Sequence, residues 1–137
     1  MALITRDSNA SIDPTAAQFA PQIAGLIAGE DLDPAAPCYI KSSDGKVYMS
    51  NGTAAAEAAK VHGFCPRAAK TGQPVTLFGS GSRFRYGTGL TIGAIYYVGA
   101  TKGRLDDAAT TGDAVGVAYA VTATDIIVCR ANGKYTA

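Results

Sequence analysis

Four side chains in this sequence could bind a soft metal ion: Cys38, His62, Cys65 and Cys129. Structural zinc takes four thiolate or imidazole ligands, and its sites are usually seeded by a pair of ligands about two to four residues apart. His62 and Cys65 have that separation. The segment that carries them, however, reads as a strand, where successive side chains alternate between faces, so positions 62 and 65 point to opposite sides. No Cys-x-x-Cys pair is present to anchor an ion. The expectation is no bound metal, with the cysteines acting as small hydrophobes. Three cysteines at wide spacing also make a poor disulfide framework and are read as reduced thiols.

The other chemical candidates are weaker. "GSGSRFRYGTG", residues 79–89, is rich enough in glycine to hold a phosphate, but it lacks the Gly-Lys-Ser/Thr ending of a P-loop. Phe84 stands where a dinucleotide fingerprint requires its third glycine, so the stretch is read as a loop between strands. Two acidic groups, Glu30, Asp31 and Asp33 and then Asp106, Asp107 and Asp113, show no calcium-loop spacing and are read as solvated turns. With one histidine, no Gly-x-Ser-x-Gly and no nucleophile beside a base, the sequence offers no catalytic residue and no cofactor site. The expectation is that this is not an enzyme.

Composition points elsewhere. The 137 residues make one ordinary domain, with net charge +1, 17% charged and 47% hydrophobic residues. Lys and Arg are scattered, whereas nucleic-acid binding needs a concentrated basic face. Low charge combined with many apolar residues is expected of a surface that meets other protein. No run approaches the roughly 20 apolar residues of a membrane helix, and the N-terminus lacks the basic and apolar regions of a secretory signal. The expectation is cytoplasmic synthesis without a membrane partner, in which case the sequons at Asn9 and Asn51 go unused.

Residues 1–27 hold no sustained period and are interrupted by Pro14 and Pro21, so they read as an extended N-terminal arm ahead of a β-domain at 28–137. Scattered large apolar residues in this arm, Leu3, Ile4, Ile12, Phe19 and Ile23, cannot form a core of their own and are candidate anchors to a partner. Arg83 and Arg85 are the alternative contact residues. Beyond the arm, short β-branched and aromatic segments alternate with Gly, Asn and Asp turns, the all-β pattern. Strands are expected at 37–42, 46–50, 61–69, 74–78, 83–86, 94–100, 114–123 and 125–130, with tight positive-φ turns at Gly45, Gly103 and Gly112. "TAAAEAAKV", residues 53–61, has helical propensity enough for a turn or two capped by Thr53.

The chain also repeats itself. "CYIKSSDGKVYMS" lies over "YYVGATKGRLDDA" at a constant offset of 58, Tyr39 on Tyr97, Gly45 on Gly103 and Val47 on Leu105. Further on, Gly63 aligns with Gly116, and Val75 falls near Ile127. Two copies of one strand unit that bury apolar faces against each other predict a small β-barrel or sandwich of two similar hairpin units.

The stretch "GLTIGAIYYVGATKGRL", followed by "TTGDAVGVAYAVTATDIIV", resembles a pattern of tailed-bacteriophage structural proteins. It is similar to small capsid decoration, or cement, proteins and also to β-modules of phage fibres. The resemblance covers about residues 26–130 and is sharpest at 89–129. It implies a virion protein, made in the host cytoplasm, that binds the capsid exterior and stabilises it. Its implied partner is the major capsid protein, and it implies a homo-oligomer, a trimer rather than a dimer, without nucleic acid, membrane or cofactor. The alternative it carries is a fibre or spike module that binds a host receptor or glycan.

Overall fold

The computed structural model describes Leu3, Thr5 and residues 22–134. Its strands are β1 (Gln22–Ile27), β2 (Pro37–Ile40), β3 (Val47–Met49), β4 (Gly63–Phe64), β5 (Pro74–Phe78), β6 (Arg83–Arg85), β7 (Ile95–Val98), β8 (Leu105–Asp106), β9 (Ala118–Ala120) and β10 (Asp125–Val128). The fold is all-β, as the alternation of short apolar runs and turn residues predicts. The strands form two antiparallel five-stranded sheets, β1-β5-β4-β2-β3 and β6-β10-β9-β7-β8, which are not closed into a barrel.

Each sheet belongs to one half of the sequence, and strand for strand the two orders are the same. The offset between Tyr39 and Tyr97 is therefore a structural repeat. Ile40 pairs with Val47 in the first half and Val98 with Leu105 in the second, at the registers the sequence aligns. Past that hairpin the sequence alignment needs correction. Cys38 pairs with Gly63 and Tyr96 with Ala118, so Gly63 corresponds to Ala118 rather than Gly116. Phe78 lies opposite Phe64 and Ile127 opposite Tyr119, so the counterpart of Ile127 is Phe78, not Val75. Ladder hydrogen bonds fix these equivalences, whereas loops of unequal length shift the similarity visible along the chain.

The last residues of the expected arm are a strand. Residues 22–27 are an edge strand of the first sheet, with Gln22 opposite Phe78 and Ile23 opposite Leu77. A register irregularity between Ile23 and Leu26 holds Gly25 at φ 80°, and this bulge is what hides the strand pattern in the sequence. The expected helix at 53–61 reduces to a 3-10 turn at Glu57–Ala59 entered from Ala56 with no side-chain cap, because nine residues nucleate poorly. Gly45 and Gly103 take the positive φ that their tight turns demand. Gly112 does not. It is needed for space, since a Cβ there would stand 2.5 Å from the Ala59 Cβ and 2.6 Å from the Ala54 carbonyl.

Two apolar cores follow the two sheets, but not symmetrically. The first is built from its own half, with Cys38, Val47, Cys65, Val75 and Leu77 covered by Ala28, Leu32, Ala36 and Ala69. The second contains Val98, Val117, Ala118, Ile126 and Val128 together with Val61 and Phe64 from the first half. Phe64 meets Phe84 with ring centroids 5.4 Å apart, a tilted contact of favourable geometry. Backbone hydrogen bonds from Gly52 to the Gly99 carbonyl, Gly112 to Gly52 and Gly103 to Ser50 stitch the halves along one side.

The entry to β9 is fixed by a buried ion pair. Asp113 is fully buried, and its Oδ1 accepts from the N–H groups of Val115 (3.1 Å) and Gly116 (2.8 Å) while Oδ2 accepts from Val98 N–H (2.9 Å). Arg130 Nη2 stands 2.9 Å from Oδ1, and its Nε and Nη1 donate to the carbonyls of Gly116 and Lys134. Burial pushes the Asp113 carboxyl up, but the Gly116 and Val98 N–H groups and the Arg130 charge outweigh it and hold it below the ordinary 3.8. A depressed carboxylate adds stability above its unfolded value and loses it as pH falls through the folded one. Asp113→Ala should therefore cost about 3–5 kcal/mol in urea unfolding at neutral pH, because Arg130 is left buried without its counter-charge. The difference between wild type and variant should shrink as the pH is taken below 3.8.

Candidate interaction surfaces

The soft-ligand residues do not meet as a ligand set. Cys38 and Cys65 lie in the first core, with the Cys38 thiol donating to the Ala36 carbonyl and the Cys65 thiol to the Arg67 carbonyl, whereas Cys129 is exposed. Burial raises both core thiols, which favours the unreactive protonated form. His62 Nδ1 accepts the Ile40 N–H at 3.0 Å, so this ring caps a strand end. Among the described residues no group of three or more His, Cys, Asp or Glu side chains gathers in metal-binding geometry.

The acidic groups are likewise engaged. Glu30 forms an ion pair with Lys102 across the halves and accepts from Met49 N–H. Asp31 accepts from the Thr71 N–H and hydroxyl, and Asp106 from Ala100 N–H. Asp113, which the sequence places among solvated turn residues, is instead the fully buried hub described above. Its spacing gives no sign of this, because its partners Val98 and Arg130 are distant in the chain.

Three concavities stand out among the described residues. An open groove of about 610 Å³ runs beside β1 and β5, lined by Gln22, Gly25, Arg67, Pro74 and Phe78 among others. A smaller one of about 250 Å³ sits where the sheets meet, between Phe64, Pro66, Phe78, Arg83 and Phe84. A third, of about 230 Å³, is lined by Asp33, Pro34, Tyr86, Gly103 and Arg104, and the linings of the first two bring no acid and base together.

The expected contact residues are scattered. Leu3 is exposed, while Ile4, Ile12 and Phe19 lie outside the described residues. Ile23 belongs to β1 rather than to a free arm, and its side chain is 39% exposed on the edge strand of the first sheet. Arg83 and Arg85 project from β6, the edge strand of the second sheet, where Arg83 Nε lies 3.2 Å from Asp125 Oδ2. The feature that sequence reasoning missed is the outer face of the second sheet. Apolar and aromatic residues in β7 and β9 look like core by type, yet Tyr97 and Tyr119 are only half-buried and Ile95 is exposed. Compared with family models, with curated proteins and with solved structures, the chain matches none.

Burial, reinforced by the Lys60 charge, lowers the pKa of His62 below the ordinary 6.5. The fold therefore binds neutral His62, and acidification from 6.5 through its folded value removes stability, because Nδ1 cannot accept from Ile40 once protonated. The thermal midpoint should fall as pH is lowered across that window. In His62→Gln, whose amide oxygen can accept without titrating, the dependence should flatten when both are followed by circular dichroism.

Proposed function

We propose that this chain is a virion structural protein that binds the outer surface of a tailed-phage capsid and stabilises it. The observation that carries the reading is where the N-terminal segment joins the fold. It enters at Gln22, the first residue of a strand that, among the described residues, has a neighbour on one side only and five of whose six residues are exposed. An open groove lies against the same strand. A segment continuing from such an edge can extend along a neighbouring shell subunit, with backbone pairing supplying affinity and Leu3, Ile4, Ile12 and Phe19 supplying apolar anchors.

The energetics favour attachment by many weak contacts. One buried aliphatic side chain contributes about 1.5–3 kcal/mol, less than the cost of ordering the segment that carries it, so single anchors do not hold. A homo-oligomer at a capsid symmetry position engages several major capsid proteins at once and gains by effective concentration. The fibre-module alternative draws its support from Tyr97 and Tyr119 on the open face of the second sheet, since half-exposed aromatics are what a glycan platform presents.

Removing residues 2–21, which leaves β1 intact, should give a folded chain whose binding to purified phage shells is at least about tenfold weaker, a loss of about 1.4 kcal/mol. Co-sedimentation with shells measures it. Undiminished binding by the truncated chain, lost instead in Arg83→Ala with Arg85→Ala, would move the attachment to β6.

A further inference from the structure

One row of side chains crosses the second sheet in register: Arg83 opposite Ile127, Ile127 opposite Tyr119, and Tyr119 opposite Ile95. Directly opposed residues share a face. The inward residues of the same strands, Val98, Ala118, Ala120, Ile126 and Val128, are buried. The row therefore lies on the outer face, where Ile95 is 40% and Val115 61% exposed. A Cβ on Gly116 would touch both Ile95 and Tyr97, so the Val115–Gly116 segment lies against this row and extends the apolar patch.

The first sheet has the same row, made of Gln22, Phe78, Phe64 and Pro37. There its Phe64 and Pro37 end is covered, while Phe78 is half-buried and Gln22 exposed. Phe64 is 1% exposed, Pro37 is buried, and what lies over Phe64 is the second repeat, through Phe84 and the core around Val98 and Ile126. The chain thus shows what this face of the repeat binds when it is satisfied, namely another repeat unit. On the second sheet the row ends in the exposed Arg83, but its other three positions hold Ile95, Tyr119 and Ile127 rather than the polar residues that normally finish the last unit of a stacked array. A net charge of only +1 puts little long-range repulsion between copies.

We propose that the outer face of the second sheet, centred on Ile95, Val115, Tyr119 and Ile127, is a self-association surface occupied by a second copy of this chain. The inference stands independently of the capsid reading, since it concerns only how copies meet. Sedimentation velocity on the full chain over a range of micromolar concentrations tests it, with Ile95→Lys and Val115→Asp as probes. Both sites are exposed, so circular dichroism should show the fold retained. Ile27→Lys, at an apolar site of similar exposure on the first sheet, serves as control. Expected are oligomers in the wild type and the control, with association about tenfold weaker or more in each probe variant. Hydrogen exchange at 95–97 and 115–119 should slow as wild-type concentration rises. A wild type that stays monomeric, or equal loss of association in Ile27→Lys, would overturn the proposal. So would oligomers whose formation leaves exchange at 95–97 and 115–119 unchanged.

Discussion

Phe64 is the side chain on which the arrangement of the two halves depends. It sits on a two-residue strand, β4, yet its ring lies outside the core of its own sheet and inside that of the other. A five-stranded sheet of such short strands exposes two faces and has too few residues to cover both, so one sheet alone would be marginal. Moving Phe64 and Val61 into the second core lets the first sheet's outer face serve as the second sheet's cover. The hydrogen bonds at Gly52, Gly103 and Gly112 then fix the angle at which this happens. Because these groups are strand-end and loop amides with no ladder partner, the junction also satisfies polar groups that would otherwise need water.

The repeats solve a shared problem with different chemistry. The last residue of β2 and of β7 each leaves an N–H beyond the ladder, and each finds a side-chain acceptor: His62 Nδ1 for Ile40, Asp113 Oδ2 for Val98. The first solution is neutral and half-buried. The second is a charge taken fully out of water, which is tolerable only because three N–H groups and Arg130 surround it. Acid therefore acts on the two halves in separate pH ranges, on the His62 side first and on the Asp113 side well below it.

Much of the architecture is legible in the sequence because short-range rules govern it. Tyr39 over Tyr97 and Gly45 over Gly103 expose the duplication, since a positive-φ glycine in a hairpin turn leaves a fixed mark. What escapes is set at long range. Gly25 breaks the alternation of β1, and only its partner β5 makes that segment a strand. Leu105–Asp106 is too short to show a period. Asp113 looks like any turn aspartate until Arg130 is brought to it from another strand. The apolar outer row of the second sheet is invisible for a related reason: Ile95, Tyr119 and Ile127 carry the same residue types as a core, and alternation alone does not say which face is covered.

That last ambiguity follows from stacking two copies in one direction. The first copy's outer row gives Phe64 to the second copy's core, while the first copy's inner face is closed by its own connection from Ala28 to Ala36, which supplies Leu32 and Ala36. The second copy's corresponding connection brings Tyr86 and Leu90 to its inner face, and Phe64 and Val61 complete the cover. A head-to-tail contact of this kind uses different surfaces on its two sides, so an open stack of copies leaves one outer row over. In this chain the leftover row belongs to the second sheet. At that position the sequence has kept isoleucine, tyrosine and isoleucine in the places that proline and the two phenylalanines occupy in the covered copy. Apart from Arg83 in the place of Gln22, the two rows differ by apolar shape rather than by charge, so the face retains a driving force for burial that folding of the single chain does not use.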